Sequence, residues 1–414
     1  MTPVAGAQLE RLAVQHGEAL ADSDLPRVAV VTPNFDGRRG LEVSLGALFA
    51  SDYPRRLLSV VVVDNGSRDG SVRWLEKHHP EVRVVANESN RGFAPATNQG
   101  VRAAGPADVL VFLNNDVRVE KDWLRELVSP IARRECQSTA GKMLSWDGKL
   151  VDHAGGGSNF HGIAIAHGYR RPPDAQLDFP RKCLFACGGA MAVNASAYAD
   201  VGGFDDEYFA YYEDLDLGWR LWIRGYEVHY APRAVCFHRH SSTTRRFPRE
   251  MVRVLEARNP LLTCFKNYAD ENLQRVLPAL LALALRRMWV MARMGDVTAF
   301  RIENAERARR GALRRLLDGL RKGYGRTRIG KLGVSDMIAV NDLLGDWAHW
   351  VERRAEVQKR RRRADAEIFE LFLRPFWCVE GEPGYVRLQD TLIDHFRIDE
   401  LFEGLTYAGA DPHK

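Results

Sequence analysis

The stretch Ala107–Val119, with the sequence ADVLVFLNNDVRV, constrains the fold of this chain more than any other. Five consecutive apolar residues, Val109 to Leu113, are typical of a strand that is buried on both faces of a parallel sheet. The run stops at Asn114-Asn115-Asp116. Because ligands of open α/β sheets bind at the carboxyl ends of strands, we expect Asp116 to face a crevice. The alternative is an aspartate that only caps a turn.

Strand and helix patterns alternate on the amino-terminal side of this stretch. The predicted strands are Arg27–Val31, Leu58–Val63 and Glu81–Val85, and the predicted helices lie at Leu41–Ala50, at Ser71–His78 and within Asn90–Gly105. This alternation predicts right-handed βαβ units and a mostly parallel sheet. The turn after the first strand lacks G-x-G-x-x-G, which excludes a dinucleotide site of that type.

Composition and charge set the broad class of the protein. At 414 residues, with 45% hydrophobic and 27% charged residues, the chain is expected to fold into two or three globular domains. Its six cysteines show no paired metal-binding spacing, so we expect buried thiols. The first twenty residues do not resemble a signal peptide, and Arg286-Arg287 interrupts the longest apolar run, Val276–Ala292. We therefore expect a cytoplasmic protein.

The second half of the chain changes in character. Residues 140–190 are rich in glycine and predict loops with short strands. Leu215, Trp219, Trp222, Ile223 and Tyr226 then form one apolar face of a helix, so both tryptophans are expected in the core. Val228–Pro232 and Ala234–His238 predict two short strands, and long helices follow from about residue 245. Residues 301–331 hold eleven basic and three acidic residues, a surplus of +8 within a chain of net charge +5, and Lys359–Arg363 forms a second basic cluster.

Seven motifs in a fixed order resemble those of family-2 glycosyltransferases of the GT-A fold, in their bacterial rhamnosyltransferase-like branch. The motifs are VVTPN, VVVDNGSRDGS, NRGFAPATNQG, VLVFLNNDV, GGAMAV, GGFDDEYFAYYEDLDLGWRLWIRGYEV and VCFHRHSST. The resemblance covers about residues 27–240. It implies an α/β nucleotide-diphospho-sugar transferase fold with a mostly parallel, mixed sheet flanked by helices. The expected organisation is a leader at residues 1–25, a catalytic domain at residues 26–245 and a helical, basic region at residues 246–414.

The resemblance also implies a divalent metal site, for Mg²⁺ or Mn²⁺. Asp116 matches the second acidic position of the family's DXD-like motif, whereas Asn114 and Asn115 replace acids. His238 matches a histidine that some members use as a further ligand, and His240 competes with it for that role. One carboxylate is not enough, so the diphosphate of the donor is expected to complete the coordination shell.

Further residues match positions that contact the sugar nucleotide in the family. They are Thr32, Asn34, Asp64, Arg91, Gly92, Asn98, Asn114 and Asn115. For Asp64 the alternative is the first residue of a D-N-G-S turn, and for Arg91 and Asn98 a solvated arginine and a helix-starting asparagine. Pro33 stands where an aromatic residue is frequent in the family.

Asp214 matches the family's catalytic base, and Glu213 is its substitute. Acids in a first helical turn are favoured by the helix dipole whatever their role, which is the structural alternative. Three acids within four residues, Glu213, Asp214 and Asp216, exceed that need, and repulsion among them is expected to raise a pKa. The Gly188-Gly189-Ala190 run either lets an acceptor approach the backbone or makes a turn.

The resemblance implies an inverting, metal-dependent glycosyltransferase for bacterial cell-surface polysaccharides. The donor would be a dTDP-, UDP- or GDP-sugar, with a rhamnose-like sugar favoured, and the acceptor a glycan or a lipid-linked glycan. The alternative is an inactive sugar-nucleotide-binding scaffold at the membrane. The basic region fits the anionic inner face of the plasma membrane or a solvated helical surface. Nucleic acid is not expected, because few aromatic residues accompany the basic ones.

Overall fold

The structure is a computed structural model and describes residues 12–18, 20–239, 247–292 and 331–403. His240 and residues 301–330, which carry most of the basic surplus, lie outside these ranges. The strands are β1 (Val28–Asn34), β2 (Leu58–Asp64), β3 (Arg83–Ala86), β4 (Val109–Leu113), β5 (Val117–Val119), β6 (Ser138–Ser145), β7 (Val151–His153), β8 (Gly156–Ser158), β9 (Ala164–Ala166), β10 (Arg181–Lys182), β11 (Ala190–Asn194) and β12 (Val228–His238).

The helices divide into two groups. Those of the α/β part are α1 (Arg38–Phe49), α2 (Ser71–His78), α3 (Phe93–Ala103), α4 (Trp123–Ala132), α5 (Ala195–Asp200) and α6 (Glu213–Ile223). Those that follow are α7 (Arg249–Asn267), α8 (Asp270–Met291), α9 (Ser335–Gly345), α10 (Trp347–Lys359), α11 (Asp365–Phe369) and α12 (Pro383–His395). The second group confirms the expected helical C-terminal region. Among the described helices, none combines the length and the apolar character that crossing a membrane requires.

A ten-stranded mixed sheet forms the centre of the molecule. Its order is β10-β12-β6-β11-β4-β1-β2-β3, with β5 and β7 paired at the side. The ladders of β3, β2, β1 and β4 are parallel, whereas β11 runs antiparallel to β4 and to β6. All five residues of β4 are buried, as its apolar run predicts. The mixed sheet with helices around it confirms the expected fold class.

The register of the parallel strands aligns their carboxyl ends. Asn34, the last residue of β1, lies opposite Asp64, the last residue of β2. Val28 of β1 lies opposite Val109, the first residue of β4. The polar residues that follow these strands therefore emerge at one edge of the sheet.

The prediction of two short strands between residues 228 and 238 was wrong. They form one strand, β12, whose register against β6 shifts between Ala231 and Val235. The interruption contains Pro232, which has no N–H group for a ladder hydrogen bond and is tolerated at such bulges. The far end of β12 pairs with β5, where His238 lies opposite Val117, next to Asp116.

The core residues follow the sequence pattern closely. Trp219 is fully buried and Trp222 is 3% exposed, which confirms that both belong to the core. The Trp219 ring packs edge-to-face on Tyr268, just beyond α7, at 5.0 Å between ring centroids. All six cysteines are free thiols, and five of them are buried, as expected.

Candidate active site

A cavity of about 680 Å³ opens at the carboxyl ends of β1 and β4 and is called here the central cavity. One wall is polar and includes Asn34, Asn65, Asn114 and Asn115. Asp116 and His238 line one part of the cavity, and Glu213 and Asp214 at the start of α6 line another. Residues from all seven sequence motifs thus meet in one space.

A hydrogen-bonded network joins the strand ends under the polar wall. The Asn34 side-chain amide donates to Oδ2 of Asp64 at 2.8 Å, and the Asn115 amide donates to Oδ1 of Asn34 at 2.7 Å. The other Asp64 oxygen accepts the backbone N–H of Ser67 at 2.8 Å. Asp64 is 2% exposed and Thr32 is fully buried, and neither is among the described residues that line the central cavity.

The three residues predicted from the NRGFAPATNQG motif, Arg91, Gly92 and Asn98, have different surroundings. Gly92 lines the cavity at φ 95°, and a Cβ there would come within 2.5 Å of the Phe209 carbonyl oxygen. Arg91 is exposed. Asn98 faces away from the central cavity, because its amide donates to the Phe204 carbonyl oxygen at 2.7 Å.

His238 lies between two carboxylates. Its Nε2 is 3.3 Å from Oδ1 of Asp116, and its Nδ1 is 2.5 Å from Oδ2 of Asp152. Burial alone would lower the pKa of His238, but the hydrogen bonds and charges of the two carboxylates outweigh it and raise the pKa to about 10. Asp152 was missed by sequence reasoning, because it lies 86 residues before its partner and belongs to no motif.

Asp116 and His238 do not form a complete metal site by themselves. Within the described ranges, no three His, Cys, Asp or Glu side chains come together in a way that would hold a metal ion.

The three acids at the start of α6 have different surroundings. Asp214 accepts the backbone N–H of Gly188 at 3.1 Å and that of Leu215 at 2.8 Å, and burial raises its pKa. Glu213 is 7% exposed with Oε2 unpaired among the described residues. Burial, and then the charge of Asp214, raises the pKa of Glu213 well above its usual range. The expected repulsion is thus present but secondary to burial.

Asp216 points into the core instead. It is fully buried and pairs with Arg220 at 2.7 Å and with the buried Lys266 of α7 at 2.9 Å. Burial alone would raise the pKa of Asp216, but the charges of Arg220 and Lys266 outweigh it and lower the pKa. Only Glu213 and Asp214 are therefore available to the cavity.

A strained loop leads into α6. Phe209, Tyr211 and Tyr212 have φ values of 59°, 69° and 66°, a region that non-glycine residues rarely adopt. The side-chain amide of Asn259 in α7 is fully buried and donates to the carbonyl oxygens of Tyr208, Ala210 and Tyr211. Strain of this kind persists where the surrounding structure enforces it, often at active sites. No sequence signal pointed to Asn259.

A second wall of the cavity comes from the start of α7 and from Phe247, two residues before it. We call it the α7 wall; its members are Phe247, Met251, Val252, Leu255 and Glu256. The Phe247 ring stacks on Phe35 at 6.4 Å between centroids and meets Phe209 edge-on at 6.2 Å. The central cavity thus has a polar side and a largely apolar side.

Comparisons with known proteins give one family and several relatives. Residues 29–202 match the family model described as "Glycosyl transferase family 2". The N-acetylglucosaminyl-diphospho-decaprenol L-rhamnosyltransferase of Mycobacterium tuberculosis is 29% identical over 218 residues, which are 47% of this chain and 70% of that protein. The O-antigen biosynthesis protein RfbC of Myxococcus xanthus is 29% identical over 231 residues, 53% of this chain and 18% of that protein.

A solved structure is also similar. The mannosyltransferase PcManGT from Pyrobaculum calidifontis, in complex with GDP-Man and Mn²⁺, aligns with a TM-score of 0.47 at 20% identity, covering 83% of this chain and 96% of that one. The family match confirms the resemblance that the ordered motifs indicated. It ends at residue 202, before Glu213, Asp214 and His238.

Proposed function

We propose that this chain, a glycosyltransferase with a family 2 catalytic domain, transfers a sugar with inversion from a nucleotide-diphosphate donor in the synthesis of a bacterial cell-surface glycan. The observation that supports this most strongly is one cavity of about 680 Å³ that is lined by Asp116, His238 and Asp214 together. The donor is a dTDP-, UDP- or GDP-sugar, with a rhamnose-like sugar favoured. The acceptor is a glycan, free or linked to a lipid. The rhamnosyltransferase and O-antigen relatives support both choices.

A divalent cation, Mg²⁺ or Mn²⁺, fits the residues at the Asp116 end of the cavity. A carboxylate oxygen of Asp116 and Nε2 of His238 face each other at 3.3 Å, a pair of donor atoms that suits these ions. When bound, such an ion neutralises charge on the departing diphosphate. Asp152 would hold the Nδ1–H of His238, and Nε2 would become the ligand once the ion displaces the proton that it shares with Asp116.

Asp214 serves as the general base in this proposal. Its carboxylate takes the proton of the acceptor hydroxyl while that oxygen bonds to the anomeric carbon and the bond from this carbon to the diphosphate breaks. Two backbone N–H groups fix the orientation of the carboxylate, and its raised pKa makes it a better proton acceptor than an ordinary aspartate. Glu213 lies beside it with an unpaired oxygen and is the substitute.

The donor nucleotide lies along the polar wall of the cavity in this proposal. Asn34, Asn114 and Asn115 line that wall. Asp64 and Thr32 act from beneath it, since Asp64 accepts a hydrogen bond from the side-chain amide of Asn34 and so fixes the position of Asn34 in the wall. At the edge of this donor site, Gly92 lets its loop approach the Phe209 backbone closely. Arg91 reaches the donor from the exposed surface, and Asn98 anchors α3 to the Phe204 carbonyl oxygen.

We also propose that the protein works in the cytoplasm, at the anionic inner face of the plasma membrane. The surplus of +8 within residues 301–331 supports this, because clustered lysine and arginine are attracted to anionic lipids. Flotation with vesicles of anionic and of neutral lipid checks it, and equal binding to both would contradict it.

The test of the function is transfer or hydrolysis of a panel of UDP-, dTDP- and GDP-sugars, with Mn²⁺ and with a chelator. We expect turnover of one donor that needs the metal ion. Asp214→Asn should lower kcat by about 10²- to 10⁴-fold while donor binding stays within twofold, because it removes only the base. The exposed Glu352→Gln serves as the control. Absence of metal-dependent turnover with every donor, or loss of donor binding in Asp214→Asn, would contradict the proposal.

A further inference from the structure

The α7 wall carries a single carboxylate, that of Glu256. The other members of this wall are apolar: Phe247, Met251, Val252 and Leu255. Glu256 is half-buried and lines the same cavity as Glu213 and Asp214. It lies beyond residue 202, where the family match ends.

The helical spacing fixes the direction in which Glu256 faces. Val252, Glu256 and Asn259 occupy positions i, i+4 and i+7 of α7, and therefore share one face. Asn259 on this face holds the loop that leads into α6 through its bonds to the carbonyl oxygens of Ala210 and Tyr211. Glu256, one turn earlier, is thus directed toward the start of α6, and its charge is among the causes that raise the pKa of Tyr212.

Glu256 has no hydrogen bond or ion pair with any residue that the structure describes. Arg253 and Arg287 lower the pKa of Glu256 through their charges. The Arg287 guanidinium donates to Asp336, whereas Arg253 lies 3.5 Å from Asp336 with its Nε and Nη2 groups lacking hydrogen-bond partners among the described residues. Neither oxygen of Glu256 is among the fully buried unpaired atoms, so the carboxylate is open to the cavity and accepts hydrogen bonds from whatever fills it. Hydroxyl groups of a sugar would supply the missing donors.

Glu256 and the proposed donor-binding residues belong to different elements around the cavity. The metal-binding pair proposed above, Asp116 and His238, and the asparagines of the polar wall lie at the strand ends. Glu256 belongs to α7 instead and, by the helical spacing above, faces the start of α6. In the proposed reaction Asp214 touches the attacking hydroxyl of the acceptor, so the space between Asp214 and the α7 wall is left for the rest of the acceptor.

We propose that Glu256 binds a hydroxyl group of the acceptor sugar, and that the acceptor is an amphipathic glycoside whose apolar part lies along Phe247, Met251 and Leu255. The inference rests on the proposed function, because it assigns the acceptor side of the same cavity. It adds a residue that fixes the acceptor and the chemical class of that acceptor: a sugar joined to an apolar chain.

The test uses octyl and methyl glycosides of glucose, galactose and N-acetylglucosamine as acceptor probes. In Glu256→Gln and Glu256→Ala we expect the KM for the octyl glycoside to rise at least tenfold, with the donor KM and donor hydrolysis in water unchanged. The wild-type protein should prefer octyl over methyl glycosides at least tenfold. Glu352→Gln is the matched control, an exposed glutamate on α10. An unchanged KM for the octyl glycoside in both Glu256 variants would overturn the inference.

Direct binding of the octyl glycosides, measured by titration calorimetry, separates this inference from the proposed function. Loss of binding in Glu256→Gln without any transfer by the wild-type protein would refute the enzymatic proposal and support the binding role of Glu256. Transfer by the wild-type protein with equal binding to both proteins would support the enzyme and refute the role of Glu256. Failure of the wild-type protein to bind every octyl glycoside would also overturn the inference.

Discussion

Replacing Asn259 with alanine tests whether the strained loop before α6 serves catalysis. The amide of Asn259 donates to three carbonyl oxygens at 3.1, 2.9 and 2.8 Å, and the side chain is fully buried. The amide of Asn259 has two N–H groups, and each contributes about 1 kcal/mol net to stability. Because their removal also leaves buried carbonyl oxygens unpaired, we expect Asn259→Ala to lower the free energy of unfolding by about 2–3 kcal/mol. The loop would then relax from its positive φ values, each of which costs about 1–3 kcal/mol.

Relaxation of this loop should move Asp214, because Tyr212 immediately precedes the first turn of α6. We expect kcat to fall at least tenfold, which corresponds to about 1.4 kcal/mol of activation free energy. The donor KM should stay nearly constant, since the polar wall is formed by the strand ends. Urea midpoints measure the stability, and steady-state kinetics measure kcat. In the variant, the backbone amides of residues 208–216 should exchange hydrogen faster.

Asn272→Ala in α8 is the matched control for this experiment. Asn272 is 8% exposed and donates to Oδ2 of Asp365 at 2.9 Å, far from α6 in the sequence. Its replacement should cost about 1 kcal/mol of stability with kcat unchanged. A wild-type kcat in Asn259→Ala, measured where the variant is folded, would refute the link between loop strain and the position of Asp214. Equal losses of kcat in both variants would refute it as well.

Two further predictions follow from the site. Asp152→Asn should raise the Mn²⁺ concentration for half-maximal activity about 10- to 100-fold, because Asp152 orients His238 from behind, and an unchanged metal titration would contradict this. Glu213→Gln should raise stability at pH 7. Burial raises the pKa of Glu213 in the folded protein above about 4.3, the glutamate pKa of the unfolded chain. The wild-type protein therefore loses stability as the pH rises above that value, whereas the glutamine variant does not. Urea midpoints at pH 4 and pH 7 check the sign, and a gain that is equal at both pH values would contradict it.

The parts of the fold that repeat a local pattern could be predicted from the sequence. The run Val109–Leu113 became β4 without change, and the helical spacing after Leu215 placed both tryptophans in the core. The proline interruption of β12 could not be resolved, because a bulge depends on the register of the neighbouring strand β6. Hydrophobic periodicity indicates the type of an element and its buried face, but not the register in which a strand pairs with its neighbour.

The candidate site also contains residues that the sequence predicted and residues that it did not. The residues at the strand ends were predicted because parallel strands in register bring their carboxyl ends together. Asp152, Asn259 and Glu256 were not predicted. Asp152 lies 86 positions from His238 and Asn259 lies 48 from Tyr211, while Glu256 reaches the cavity from a helix outside the seven motifs. Such contacts are set by tertiary packing and leave no spacing signal in a single sequence.

The start of α6 shows how packing separates acids that the sequence presents as equivalent. Asp216 lies four residues before Arg220, on the helix face that meets the buried Lys266 of α7. Both cations thus engage Asp216, and together they lower its pKa. Asp214 accepts hydrogen bonds from backbone N–H groups but pairs with no cation in the described structure, and its pKa stays raised. A base needs a pKa near the working pH, so directing the buried cations to Asp216 is what leaves Asp214 suited to accept a proton.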